Sequence, residues 1–119
     1  MKKTLVIGAS EDKSRYAYLA TIMLKKYGHE VIPLGLQAGS ITGTEIVTGT
    51  PPVKDLDTIT LYISPKRQPP MYAYIAGLNP KRVIFNPGTE NPELENLLMK
   101  KGIEVAEACT LVMLKSNQY

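Results

Sequence analysis

Short apolar runs that end on glycine or proline alternate along this chain with stretches of helical periodicity. That alternation limits the possible folds more than any other feature. Thr4-Leu5-Val6-Ile7 is apolar on both faces and stops at Gly8. A strand of this kind is buried on both sides, as in a parallel sheet covered by helices. Glu30-Val31-Ile32-Pro33-Leu34, Asp57 to Ile63 and Arg82-Val83-Ile84-Phe85 repeat the pattern, and Ile103-Glu104-Val105-Ala106 is a shorter last run. Between them, spacing predicts helices over 15–27, over 70–78 and from Pro92 to Lys101. Strand–helix–strand alternation implies right-handed crossovers onto one sheet. The predicted fold class is α/β, a three-layer Rossmann-like parallel sheet with helices on both faces. The predicted strand order is 3-2-1-4-5, with Glu45-Ile46-Val47 as strand 3 and the last short strand appended.

Local signals set the expected boundaries. Tyr16, Leu19, Ala20, Met23 and Tyr27 recur at i, i+3, i+4, i+7 and i+11 and predict the buried stripe of the first helix. Ser14 is its expected N-cap and Gly28 its stop. Met71, Tyr74, Ile75 and Leu78 mark one face of the second helix. Asn91 followed by Pro92, with Glu93 and Glu95 early and Lys100-Lys101 late, marks the third, and Gly102 ends it. Residues 35–52, punctuated by Gly35, Gly39, Gly43 and Gly49, read as a long loop carrying a single short strand. A loop of that length in a small domain is either functional or a misread element.

With 119 residues, the chain has room for one domain, and the expectation is a single unit over 1–119. An apolar share of 44% excludes a disordered chain. The apolar runs are far shorter than the roughly 18 residues that a membrane helix needs. The start shows no long apolar leader region, so a cytoplasmic location is expected. The net charge is only +3, and the basic residues lie in scattered pairs rather than on one helix, which argues against nucleic-acid binding. One cysteine, Cys109, and one histidine, His29, leave little material for a metal site or a catalytic triad. Cys109 reads as an inert buried thiol and His29 as a surface turn residue. No catalysis is expected.

In open doubly wound sheets, ligands bind beyond the carboxyl ends of the strands where the strand order reverses. Three loops meet there. The first is Gly8-Ala9-Ser10-Glu11-Asp12-Lys13-Ser14-Arg15, with a tight glycine turn, the hydroxyls of Ser10 and Ser14, the charges of Lys13 and Arg15, and a helix start. That combination suits a phosphate, although Gly and Ser also favour a plain strand-to-helix turn. The second runs from Ser64 to Pro70 and brings Lys66 and Arg67 between prolines. The third is Asn86-Pro87-Gly88 and its continuation to Glu90, which also reads as a simple Pro-Gly turn. The first loop is not Gly-x-Gly-x-x-Gly, and no acid ends the second strand at Ile32-Pro33-Leu34-Gly35, so ordinary NAD binding is disfavoured.

Taken in order, Val6-Ile7-Gly8-Ala9-Ser10, Gly28-His29-Glu30-Val31-Ile32-Pro33, Lys66-Arg67, Asn86-Pro87-Gly88 and Ala108-Cys109-Thr110-Leu111 resemble the small stand-alone CoA-binding domain proteins. Their domain is similar to that of succinyl-CoA synthetase alpha subunits. The resemblance runs over nearly the whole chain. It implies that the Gly8–Ser10 turn and Arg15 meet nucleotide phosphates, that Pro33 flanks the adenosine, that Lys66 and Arg67 add basic contacts, and that Asn86-Pro87-Gly88 lies towards the pantetheine. The sequence departs from the family's pattern in the Gly- and Thr-rich stretch 35–50, in Asn86 where many relatives carry Gln, and in a shortened second crossover. The expected function is non-catalytic binding of CoA or an acyl-CoA, held non-covalently. The alternatives are an NAD(P)-type nucleotide binder, or an interaction subunit with an empty crevice that forms a homodimer through the apolar 103–114 tail.

Overall fold

The computed structural model describes residues 1–119. Five parallel strands form one sheet: β1 (Thr4–Ile7), β2 (Val31–Leu34), β5 (Thr58–Leu61), β6 (Arg82–Phe85) and β7 (Glu104–Glu107), in the order β2-β1-β5-β6-β7. Two short strands, β3 (Gly39–Ile41) and β4 (Thr44–Ile46), make a separate antiparallel hairpin. Helices α1 (Tyr16–Lys26) and α4 (Thr110–Lys115) pack together on one face of the sheet, and α2 (Tyr72–Gly77) and α3 (Pro92–Lys100) on the other. The α/β three-layer reading holds, and the strand order reverses between β1 and β5 as expected.

Strand 3 is the point of difference. The segment after β4 does reach β2, but by a single parallel bridge between Val47 and Leu34. Val47 N–H donates to Pro33 O (2.9 Å), and Gly35 N–H to Val47 O (3.0 Å). Proline has no N–H to continue a ladder. A third strand therefore cannot extend along β2, and Thr44-Glu45-Ile46 pairs back on Gly39-Ser40-Ile41 instead.

The two faces of the sheet differ in chemistry. Leu5, Ile7, Ile59, Leu61, Val83 and Phe85 point towards α2 and α3, where Ile75, Leu94 and Leu98 complete the main apolar core. The alternate residues meet α1 and α4. There Val6 packs on Ala17, Leu24 and Leu114, but Thr4, Thr58 and Thr60 are equally buried. Their hydroxyls find partners: Thr60 with Thr110 (2.8 Å), Thr58 with the Arg82 Nε–H (3.1 Å), and Thr4 with the Tyr119 hydroxyl. Buried polar atoms are tolerable only when paired in this way.

Helix α1 turns inward a stripe that only partly matches the one predicted: Ala20 is buried and Met23 packs against the core as expected. Ala17, Ala20, Thr21 and Leu24 are buried, whereas Tyr16, Leu19 and Tyr27 are exposed. Small residues at Ala17, Ala20 and Thr21 let α1 approach the sheet closely, and the bulky Tyr16 and Tyr27 are left outside. Ser14 is not the N-cap. Arg15 holds that position without a side-chain bond, and Ser14 instead donates to Asp12. Gly28 does end the helix, at φ +89°. The predicted helix over 70–78 begins later, after two 3-10 turns at Pro65–Arg67 and Pro69–Met71. Asn91 caps α3 as expected, accepting from Leu94 N–H, while the Glu95 carboxylate accepts from Asn91 N–H (3.0 Å). The 103–114 tail is not a free apolar surface, since Ile103 and Leu114 are core residues. Cys109 is half-buried at the start of α4.

Candidate functional site

A cleft of about 900 Å³ opens at the carboxyl ends of β1, β2 and β5. Three segments wall it. The first is the β1–α1 loop, with Gly8, Ala9, Ser10, Glu11, Asp12 and Arg15. The second runs from Leu34 to Ala38 and is joined by Gly49 and Thr50. The third is Tyr62 and Ile63 with Arg67, Pro70 and Met71. A second, smaller groove lies at the other end of β2, between Ile32, Val47 and Pro51-Pro52-Val53.

Close backbone approaches set the cleft's shape. Gly8 and Ala9 N–H groups both donate to Leu34 O (2.9 Å each), which ties the loop to β2. Gly8 sits at φ +102°, and a Cβ there would lie 3.0 Å from the Tyr62 carbonyl. Gly35 presses on the Ala9 carbonyl so closely that any side chain would collide with it. Glycine is needed at both positions because backbone meets backbone. Across the mouth, the Glu11 carboxylate accepts the Ser40 N–H (2.9 Å) and lies against Gly39, which fastens the hairpin to the loop.

The third wall is pinned by a residue that sequence reasoning passed over. Gln68 is fully buried. Its amide donates to Ile63 O (3.0 Å) and Thr89 O (2.8 Å), and its oxygen accepts from the Asn91 amide (2.9 Å). These bonds join the turn after β5 to the turn after β6 and the start of α3. They leave the preceding residue, Arg67, exposed at the cleft. A glutamine between basic residues and prolines looks like loop filler in the sequence, and only its burial reveals the role.

Of the residues predicted from sequence, Gly8, Ala9, Ser10, Arg15 and Arg67 line this cleft. Lys13 and Ser14 are exposed on the same loop but off the lining, as are Ser64 and Lys66 on the 3-10 turn. Pro33 is buried inside β2, beside Val6 and beneath the cleft floor. The Asn86-Pro87-Gly88 turn does not reach the lining. Asn86 is buried, its amide donating to Thr60 Oγ1 (2.6 Å) and Leu61 O (2.8 Å) and its oxygen accepting from Thr110 N–H (2.9 Å). It clamps β5, β6 and α4 together. The cleft residues outside the three loops expected from sequence are Ile7, Leu34, Gly35, Leu36, Gln37, Ala38, Gly49, Thr50, Tyr62, Ile63 and Met71. Six of them come from the 35–52 stretch read as loop, where its unusual length was the signal.

Electrostatically the lining is balanced, with Glu11 and Asp12 against Arg15 and Arg67. Asp12 is held below the ordinary carboxylate range, first by the Ser14 hydroxyl, then by the Ser14 N–H and the Arg15 charge. Burial pushes the Tyr62 phenol well above its ordinary value, and its hydroxyl has no hydrogen-bond partner. His29 lies at the other end of the sheet. Its Nδ1 accepts the Lys2 N–H (2.9 Å), and its ring meets Tyr119 edge-on at 4.8 Å. It is half-buried and not a free turn residue.

Over residues 2–115 the sequence of this chain matches one protein family, the CoA binding domain. The chain belongs to that family. Solved structures show how far the likeness of fold extends. A crystallised protein described only as uncharacterized is 52% identical, with a TM-score of 0.98, covering 100% of this chain and 98% of the other. A Thermus thermophilus protein is 25% identical with a TM-score of 0.84, covering 99% of this chain and 91% of its own. A conserved hypothetical protein from Pyrococcus furiosus is 26% identical with a TM-score of 0.78, covering 89% and 92%. None of the curated proteins matches the chain. No helix of this family member is long and apolar enough to cross a membrane.

Proposed function

We propose that this chain binds CoA or an acyl-CoA non-covalently in the cleft at the ends of β1, β2 and β5, and that it does so without catalysing a reaction. The observation that carries this reading is the coincidence of two facts. The CoA binding domain family covers almost the whole chain, and the large cleft opens where the strand order reverses between β1 and β5. Arg15 and Arg67 line two of the walls and suit the diphosphate, the Ser10 hydroxyl can donate to it, and Leu36, Ile63 and Met71 offer apolar surface to an adenine or a pantetheine chain.

Support for a non-catalytic role comes from the same groups. The acids in the lining are committed, Glu11 to Ser40 N–H and Asp12 to Ser14 and Arg15. Tyr62 is held in its neutral form, and His29 is at the opposite end of the sheet. No poised acid–base pair faces the cavity. β2 ends on Leu34-Gly35-Leu36, with no carboxylate for the ribose hydroxyls of NAD.

The test is calorimetric titration with CoA, acetyl-CoA, NAD, NADP and ATP, with thermal melting alongside. The expected result is stabilisation by both CoA species and little by NAD. No response to any CoA species at millimolar concentration overturns the proposal, and a stronger response to NADP replaces it with a dinucleotide site.

A further inference from the structure

We propose that Asp12 is a built-in competitor for the anion this cleft takes, so that a ligand phosphate enters by displacing an internal carboxylate from Arg15. The inference rests on the cleft reading above. It begins from where the donors of the β1–α1 loop are spent. Asp12 Oδ1 accepts both the N–H (3.0 Å) and the hydroxyl (2.6 Å) of Ser14, and Oδ2 lies 3.6 Å from Arg15 Nε. The carboxylate is held there from behind, because the Asp12 N–H donates to Ser10 Oγ (3.0 Å) and the Asp12 carbonyl accepts Arg15 N–H (3.1 Å). Gly8 and Ala9 N–H groups are already bound to Leu34 O. The basic group that a phosphate needs on this wall is therefore engaged by a side chain of the same loop.

The charge balance of the lining makes Asp12 the group that matters. Glu11 is the other acid, but its carboxylate is bound to the hairpin at Ser40 N–H. Asp12 alone faces the Arg15 donor that the ligand would use. Its hydrogen bonds keep it ionised to lower pH than an ordinary aspartate, so the competition is constant rather than a pH switch. A single exposed carboxylate is a weak opponent. A multiply charged anion such as a diphosphate gains more from the two guanidiniums of the lining than Asp12 gains from one, whereas a monoanion does not. Asp12 therefore biases the cleft towards multiply charged phosphate ligands and weakens binding for all of them.

The deciding variant is Asp12→Asn. It keeps an oxygen to accept from Ser14 and the same shape, and removes only the charge. The wild type, D12N, Arg15→Ala and the double variant are titrated calorimetrically with CoA and separately with inorganic pyrophosphate. D12N is expected to bind both probes about two- to fivefold more tightly, the effect of releasing Arg15 from an exposed ion pair so that it is free for the anion. The gain should vanish in the R15A background, an outcome that a general loosening of the loop would not produce. Equal or weaker binding by D12N, or a gain that survives R15A, overturns the inference while leaving the CoA reading intact. A coupled gain with pyrophosphate but no CoA binding sustains the competitor and removes the CoA reading. No binding of either probe to any variant overturns both.

Discussion

Replacing Gln68 by leucine tests whether the third wall of the cleft is held by one buried amide. The substitution nearly preserves volume, so it neither opens a cavity nor admits water. It removes two bonds donated to Ile63 O and Thr89 O and one accepted from the Asn91 amide, at 2.8–3.0 Å, at a position with no exposed surface. The Asn91 amide keeps its bond to the Tyr72 hydroxyl (2.8 Å) and is only partly orphaned. The two carbonyls lose the Gln68 donor, and each buried unsatisfied group costs about 1–3 kcal/mol. The expected destabilisation is about 3–5 kcal/mol, a large share of the roughly 5–15 kcal/mol of a typical domain. Urea unfolding followed by circular dichroism gives the value from the midpoint, with the slope serving to check that the transition keeps its size. At denaturant-free conditions, Q68L should also bind CoA more weakly than the wild type, because Arg67 follows the same turn. A loss below about 1 kcal/mol with unchanged CoA affinity would refute the reasoning, showing that the turn is held by its prolines alone.

Other substitutions separate the lining from its surroundings. Gly35→Ala should cost about 2 kcal/mol or more in chemical denaturation and weaken CoA binding, because the new methyl collides with the Ala9 carbonyl and drives the loop off β2. Arg15→Ala and Arg67→Ala should each lower CoA affinity about tenfold in calorimetry, as charged hydrogen bonds to phosphate do, whereas Lys13→Ala and Lys66→Ala, off the lining, should change it by no more than about twofold. His29 titrates below its ordinary 6.5, chiefly through burial and then through the N-terminus, Lys2 and Arg82, with Asp57 opposing. Its neutral form is favoured in the folded state. The stability it contributes is therefore complete above 6.5 and lost as pH falls through the lowered folded value. Melting temperatures measured from pH 7.5 to 5 should fall less in His29→Gln than in the wild type, and parallel curves would rule His29 out as the source.

Most of the sheet was legible because burial on two faces forces a residue pattern that few other structures require. Thr4 to Ile7, Thr58 to Leu61 and Arg82 to Phe85 could hardly be anything but central strands. Gly8, Gly28 and Gly102 were legible for a local reason, since each lies at positive φ. The stripe of α1 was legible only in part. Tyr16, Leu19 and Tyr27 are larger and share the predicted spacing, yet the inward side is set by how closely a helix can approach Val6, a distance absent from the sequence. The pairing of strand 3 was also hidden, although the reason stands at Pro33, whose missing N–H stops the ladder on β2.

The sequence by itself determined the fold class, the strand-order reversal and the place of the first loop beside the cleft, because these follow from periodicity and from backbone conformations that only particular residues accept. The tertiary structure alone decided which side chains reach the cleft. Asn86 and Gln68 look alike as loop amides, and both are spent inside the protein on carbonyls, hydroxyls and amides from other segments. Arg67 faces the cavity while Lys66, one residue earlier, does not. Direction of this kind depends on contacts between segments far apart in the chain, and those contacts exist only once the sheet has brought the loops together.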